Sequence, residues 1–209
     1  MIVVDVETTG TDPDRHSIVS IGAIEFEHPE RQFYRECRAW DGAQVEEEAL
    51  AVNGFSLTHI TDPALPSLEK AIAEFIAWCK DAGERTLGGH NTSFDRDFLQ
   101  ASADRYNLAW HFGHRILDLH SFAWMHMVRA GVTPPTRGGR SGLSSDAILV
   151  YTGLPEAPKP HQGMVGAKME AEAFCRLSLG RSLLDEFKHH PMPGGFELST
   201  SSSNQQALF

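Results

Sequence analysis

Val3-Val-Asp-Val-Glu-Thr-Thr-Gly10 opens the chain, and its reading decides the rest. Valine and threonine are β-branched and favour an extended strand, whose alternate side chains point the same way. Asp5 and Glu7 therefore share one face, while Val4 and Val6 point to the other, into a core. Two carboxylates side by side on an apolar strand repel each other and lose hydration. A divalent cation is the usual compensator for such a pair. The alternative is a solvated strand end with two idle acids. Thr8-Thr9-Gly10 argues against it by turning the chain sharply beside the pair, as an open site requires.

Working outward, residues 18–26 and 32–39 read as second and third strands. Their connections are too short for crossover helices, so the three strands form an antiparallel meander. Beyond them, helical spacing and caps predict helices over 46–52, 67–82, 93–106, 118–129, 143–151 and 166–179. Short strands over 86–90 and 115–117 fall between them. Residues 131–142, rich in Gly and Pro, read as a loop. The pattern predicts an α/β fold: a mixed sheet, with an antiparallel meander plus parallel strands, flanked by helices. Phe94 reads as packing, and Trp124, Met125 and Met127, at helical spacing, read as core.

With 209 residues, 41% of them hydrophobic, the chain is long enough for one domain with a substantial core. Residues 1–188 form that domain in this reading, and 189–209 a flexible tail rich in Pro, Gly and Ser. No apolar run reaches membrane-spanning length, and the chain opens on a strand, so neither a membrane partner nor a secretory signal is expected. Cys37, Cys79 and Cys175 are odd in number and lack Cys-x-x-Cys spacing, which fits core thiols in a reducing cytoplasm. A net charge of −10 argues against a broad nucleic-acid-binding surface. It does not exclude a nuclease, whose metals neutralise its acids.

A second constellation, Gly89-His-Asn-Thr-Ser-Phe-Asp95, sits where a short strand meets a helix, about eighty residues after the first. A third, His161-Gln-Gly-Met-Val-Gly-Ala-Lys-Met-Glu-Ala-Glu-Ala173, places a histidine just before the last helix. In this order, these segments resemble the DEDDh branch of the DnaQ-like 3′→5′ exonucleases, over roughly residues 1–180. Weaker landmarks agree: residues 18–23, 60–62, Asp118 at a helix start, and 143–147.

The resemblance implies a ribonuclease-H-like fold and a two-metal phosphodiesterase. Asp5, Glu7 and Asp95 would hold two divalent cations, Mg²⁺ or Mn²⁺, and His161 would be the general base. Thr8, Thr9 and Asn91 would hold the terminal nucleotide. The partner would be a nucleic acid with a 3′ end, with single-stranded DNA favoured, in DNA replication, repair or processing. The product would be a nucleoside 5′-monophosphate. An exoribonuclease, or an inactive nucleic-acid-binding or clamp-binding module on the same fold, are the alternatives.

One position departs from the family pattern. The metal-binding Asp expected five residues after His161 is Gly166. Glu170 is one helical turn further on, with a Cα about 6 Å along the axis, and is expected to fall short. Impaired activity is the resulting expectation. Two further features remain. Arg137 and Arg140 bracket two glycines and could contact substrate phosphates. The chain ends Gln205-Gln-Ala-Leu208-Phe209, which resembles the bacterial sliding-clamp-binding peptide, with Gln205, Leu208 and Phe209 as anchors.

Overall fold

The computed structural model describes residues 1–193. Gln205, Leu208 and Phe209 lie outside the described residues. Three antiparallel strands open the chain: β1 (Ile2–Thr8), β2 (Ile18–Glu25) and β3 (His28–Glu36). After the helices α1 (Glu47–Asn53), α2 (Leu57–Ile60) and α3 (Leu68–Cys79) come β4 (Leu87–Gly89) and α4 (Thr92–Arg105). Next are β5 (Ile116–Asp118) and α5 (Leu119–Arg129), then a small hairpin of β6 (Thr136–Arg137) and β7 (Arg140–Ser141). Helices α6 (Ser145–Tyr151) and α7 (Gly163–Leu179) complete the fold.

The main sheet has the order β3-β2-β1-β4-β5. β1 pairs antiparallel with β2 and parallel with β4, which pairs parallel with β5. This is the mixed architecture expected from the sequence. Side-chain alternation along β1 sorts the core into two layers. Ile2, Val4 and Val6 pack with Ile72, Phe75 and Phe98 of α3 and α4. Val3 packs on the other side with Ala167, Ala171 and Phe174 of α7. Asp5 and Glu7 share the parity of Val3, so they belong to the α7 face.

Several boundaries differ from expectation for local reasons. The β2–β3 turn is only Phe26-Glu27, with neither Gly nor Asn to mark it, so β3 starts four residues before its expected position. The presumed loop 131–142 contains a hairpin whose Gly138 and Gly139 both take positive φ (58° and 75°), as a two-residue primed turn demands. α7 begins at Gly163, three residues early. Trp124 (47% exposed) and Met125 (57%) lie on the outer face of α5, and of the three residues read as core only Met127 is buried. Residues 189–193, read as tail, still touch the domain through Arg176, which donates to the Pro191 and His190 carbonyls. Cys37, Cys79 and Cys175 are buried and free. Among the described residues, no helix is long and apolar enough to cross a membrane.

The start of α7 lies almost on the backbone of the sheet. A Cβ on Gly163 would come within 2.6 Å of the Asp5 carbonyl oxygen, and one on Gly22 would overlap the Gly163 backbone. Glycine is a poor helix former. Its use here is explained by close approach, which registers α7 against β1. Gly22→Ala therefore forces helix and sheet apart, and neither side of the contact is a side chain that can rotate away. The expected cost is about 1–3 kcal/mol, seen as a fall in melting temperature of roughly 2–10 °C. An unchanged melting curve would show that the contact does not set the spacing.

Candidate active site

The carboxyl ends of the parallel strands β1, β4 and β5 meet at one edge of the sheet, the usual place for a site in open α/β folds. β4 pairs with β1 only at Ile2 and Val3, so beyond Val3 that side of β1 is open. The first turn of α4 fills the opening. There the Asp95 carboxylate accepts a hydrogen bond from the Val6 N–H at 2.9 Å. β4 ends in Gly89, where a Cβ would come within 2.9 Å of the Val4 carbonyl and 3.2 Å of Glu170 Oε2. Asn91 then takes the left-handed conformation (φ 57°, ψ 41°) at the start of α4. Asn tolerates that region better than most residues. Asp118 ties two helix starts together, accepting from the N–H groups of Thr92 (3.0 Å) and His120 (2.9 Å).

Four acids gather here: Asp5, Glu7, Asp95 and Glu170. Glu7 (8% exposed), Asp95 (5%) and Glu170 (7%) are buried. Burial is the main force on all four, pushing Glu7 up to about 7, Asp95 to about 8, Glu170 to about 8, and Asp5 well above the usual carboxylate range. After burial, Asp5 is raised most by Glu170, then by Asp95 and Glu7. The Val6 N–H opposes the rise at Asp95, and the His90 N–H and Ser145 hydroxyl oppose it at Glu170. Among the described residues, none of the four acids has an ion-pair partner, and Asp5 and Glu7 have no hydrogen-bond donor. An all-oxygen, negatively charged donor set without basic partners fits a hard divalent cation. Its side chains do not form a closed cage: among the described residues, no three Asp, Glu, His or Cys side chains converge as a ready metal site.

Glu170 is where the structure departs from the sequence reading. Its carboxyl does not fall short of the cluster. Glu170 Oε2 accepts from the His90 N–H at 2.9 Å, and Oε1 accepts from the Ser145 hydroxyl at 3.4 Å. Gly166, one turn earlier, faces Asp5 directly, and a Cβ there would overlap Asp5 Oδ2. Reinstating an Asp at 166 is therefore not a simple repair, because the Asp5 carboxyl must move first.

His161 and Asp5 line one cleft of about 310 Å³, together with His90, Gln162, Gly166 and Glu170. The His161 N–H donates to the Val52 carbonyl at 3.0 Å, fixing the approach to α7. The remaining expected residues divide. Asn91 is exposed at the site's rim. The Thr8 hydroxyl donates to the Gly10 carbonyl at 2.7 Å, inside the turn. Thr9 is fully buried; its hydroxyl donates to Gln44 O and accepts from Ser17 N–H, and its own N–H and carbonyl are paired. Thr9 thus holds the turn rather than facing a ligand. Arg137 and Arg140 are exposed and cross-paired on the hairpin. The segment after the hairpin is tied to the site through Ser141 on His120 (2.7 Å) and the Leu143 carbonyl on His90 (3.0 Å). The His90 N–H and the Ser145 hydroxyl hold the Glu170 carboxyl, a role that spacing alone does not reveal.

The stability of the metal-free site has a definite pH dependence. A carboxyl whose folded value is raised holds its proton after the unfolded chain has lost it. Its stabilising contribution is full below about 4, and is lost as pH rises through the folded values of about 7 to 8. Moving Glu7 alone from 4.5 to about 7 corresponds to roughly 3 kcal/mol. Melting temperature in a chelating buffer should therefore fall between pH 5 and about 9, and excess Mn²⁺ should flatten the fall. Parallel curves with and without Mn²⁺ would contradict a cation site at these acids.

The exonuclease family model RNase_T matches residues 2–174. Ribonuclease T of Yersinia pseudotuberculosis is 24% identical over 192 residues, covering 84% of this chain and 83% of that protein. The PolC-type DNA polymerase III of Staphylococcus aureus is 32% identical over 107 residues, covering 50% of this chain but 7% of that protein. Among solved structures, the nuclease domain of 3′hExo bound to rAMP superposes with a TM-score of 0.64 at 15% identity, covering 84% of this chain and 90% of that one. A zinc-bound complex of E. coli exonuclease I with single-stranded DNA superposes at 0.67 and 16% identity, covering 84% and 39%. These superpositions establish a ribonuclease-H-like fold. With the family model matching most of its length, the chain belongs to the DnaQ-like, DEDDh-type 3′→5′ exonucleases.

Proposed function

We propose that this protein removes nucleotides one at a time from a single-stranded 3′ end, releasing nucleoside 5′-monophosphates. The observation that carries the reading is the cleft shared by Asp5 and His161, set among buried carboxylates that lack basic partners. Asp5, Glu7 and Asp95 would hold two divalent cations, which when bound polarise the scissile phosphate and stabilise the attacking and leaving oxygens. His161, on the cleft wall, takes the proton from the attacking water. Asn91 contacts the terminal nucleotide at the rim. Arg137 and Arg140 meet the substrate's phosphates; like charges paired across a hairpin favour an anion between them. With Asp5, Glu7 and Asp95 alone the cations would be one oxygen short, and turnover would be low, lowest with Mg²⁺.

DNA is the first reading of the substrate. RNA is the second, favoured because the relatives that match most of this chain are named Ribonuclease T. The test is digestion of 5′-labelled single-stranded DNA and RNA of one sequence with Mg²⁺ or Mn²⁺. A ladder shortening from the 3′ end, with 5′-monophosphates as product, is expected. Binding without cleavage in either metal would replace the enzyme with a binding module.

A further inference from the structure

We infer that Glu170 supplies the fourth carboxylate of the cation site, in place of the acid absent at position 166. The inference rests on the two-cation reading above and extends it to a residue outside the family motif. Three observations carry it. First, Glu170 and Gly166 are four residues apart on α7, so they lie on one helix face. Glu170 lines the same cleft as Asp5 and His161.

Second, the Glu170 carboxyl is held in place. The His90 N–H donates to Oε2 at 2.9 Å and the Ser145 hydroxyl to Oε1 at 3.4 Å. A carboxylate oxygen with a second lone pair still available can accept a hydrogen bond and bind a cation, and such outer hydrogen bonds orient ligands. At 7% exposure it is a buried carboxyl with no basic side chain paired to it among the described residues. An ordinary structural glutamate is paired, as Glu172 on the same helix is with Arg176 at 2.7 Å.

Third, Gly166 and Glu170 form one arrangement. Without a side chain at 166, the Asp5 carboxyl occupies the space that a Cβ would take. Gly89 leaves room for Glu170 from the other side, since a Cβ there would come within 3.2 Å of Oε2. An acid thus stands one turn after position 166 on α7, and the two glycines accommodate both carboxyls.

The experiment is calorimetric titration of Mn²⁺ into the chelator-treated full chain, with exonuclease assays on the same samples. Glu170→Gln keeps the volume and an oxygen to accept from the His90 N–H, so the fold is retained. The expected result is two Mn²⁺ per chain for the unsubstituted protein and an affinity about tenfold or more weaker at one site in Glu170→Gln. Glu170→Asp, which keeps the charge but withdraws it by one methylene, should fall between the two. Unchanged affinity and stoichiometry in both variants would overturn the inference while leaving the exonuclease reading intact. If the unsubstituted chain binds no Mn²⁺ and digests no 3′ end, both fall together.

Discussion

Asp5→Asn should abolish cleavage while making the metal-free protein harder to melt. The two effects run in opposite directions because they have one cause. Asp5 sits on β1 between the charges of Glu170, Asp95 and Glu7, all of which push its carboxyl toward the neutral form. Burial is the first cause of that rise; asparagine keeps the shape and one acceptor oxygen and is neutral without taking up a proton on folding, so the melting temperature in chelator near neutral pH rises. The same change would take a carboxylate from the proposed cation site, on the cleft that His161 also lines. A bound metal is worth several kcal/mol of transition-state stabilisation, so the rate should fall by on the order of 10³-fold. The gain in melting temperature on adding Mn²⁺ should shrink as well. A structural Asp5 would behave differently: stability and activity would fall together, and Mn²⁺ would still stabilise the variant. That joint loss is the outcome that would remove Asp5 from the site.

Much of this arrangement was legible in the sequence, and what was not has physical reasons. The strand Ile2–Thr8 could be read because alternation is strict and one residue of slip would reverse its faces. The helix starts at Ser67 and Asp118 could be read because each side chain caps a backbone N–H. The start of α7 could not, since Gly163 and Gly166 mark a loop by propensity. Here tertiary contact with β1 and β2 overrides that preference. Trp124 and Met125 were misjudged because helical spacing fixes which residues share a face, not whether that face is covered.

The site shows the same division. Asp5, Glu7, Asp95 and His161 can be singled out through motif order, and the fold places Asp5 and His161 on one cleft. Glu170 was weighed and discounted on axial distance. Axial distance leaves out how closely α7 approaches the sheet, where the backbones of Gly22 and Gly163 nearly touch. The resemblance makes Thr9 a ligand contact, yet its hydroxyl is committed to Gln44 and Ser17, residues whose proximity only the folded chain reveals.

Replacing Arg176 should produce the largest loss of stability of any single change away from the site. Arg176 is among the largest fully buried side chains, and its guanidinium is satisfied entirely from within. Nε pairs with Glu172 at 2.7 Å, Nη1 donates to the Thr152 carbonyl at 3.0 Å, and Nη2 donates to the Phe187 carbonyl at 2.9 Å. Glu172 in turn accepts from the Ser182 hydroxyl and from the N–H groups of Leu183 and Leu184. The pair therefore fastens α6 and the segment after α7 to one helix. Arg176→Met fills most of the volume but strands a buried carboxylate and leaves carbonyl oxygens without donors. Breaking one side of such a pair costs about 3–5 kcal/mol, or roughly 10 °C in melting temperature for a chain of this size. Adding Glu172→Gln to Arg176→Met should recover part of the loss, because the stranded charge is then gone, and the recovered energy measures the coupling. Additive losses in the double variant would mean that the two residues stabilise the domain independently. Exonuclease activity measured well below the melting transition should survive in both variants, since the pair lies on α7 beyond Glu170 and touches none of the acids at the end of β1.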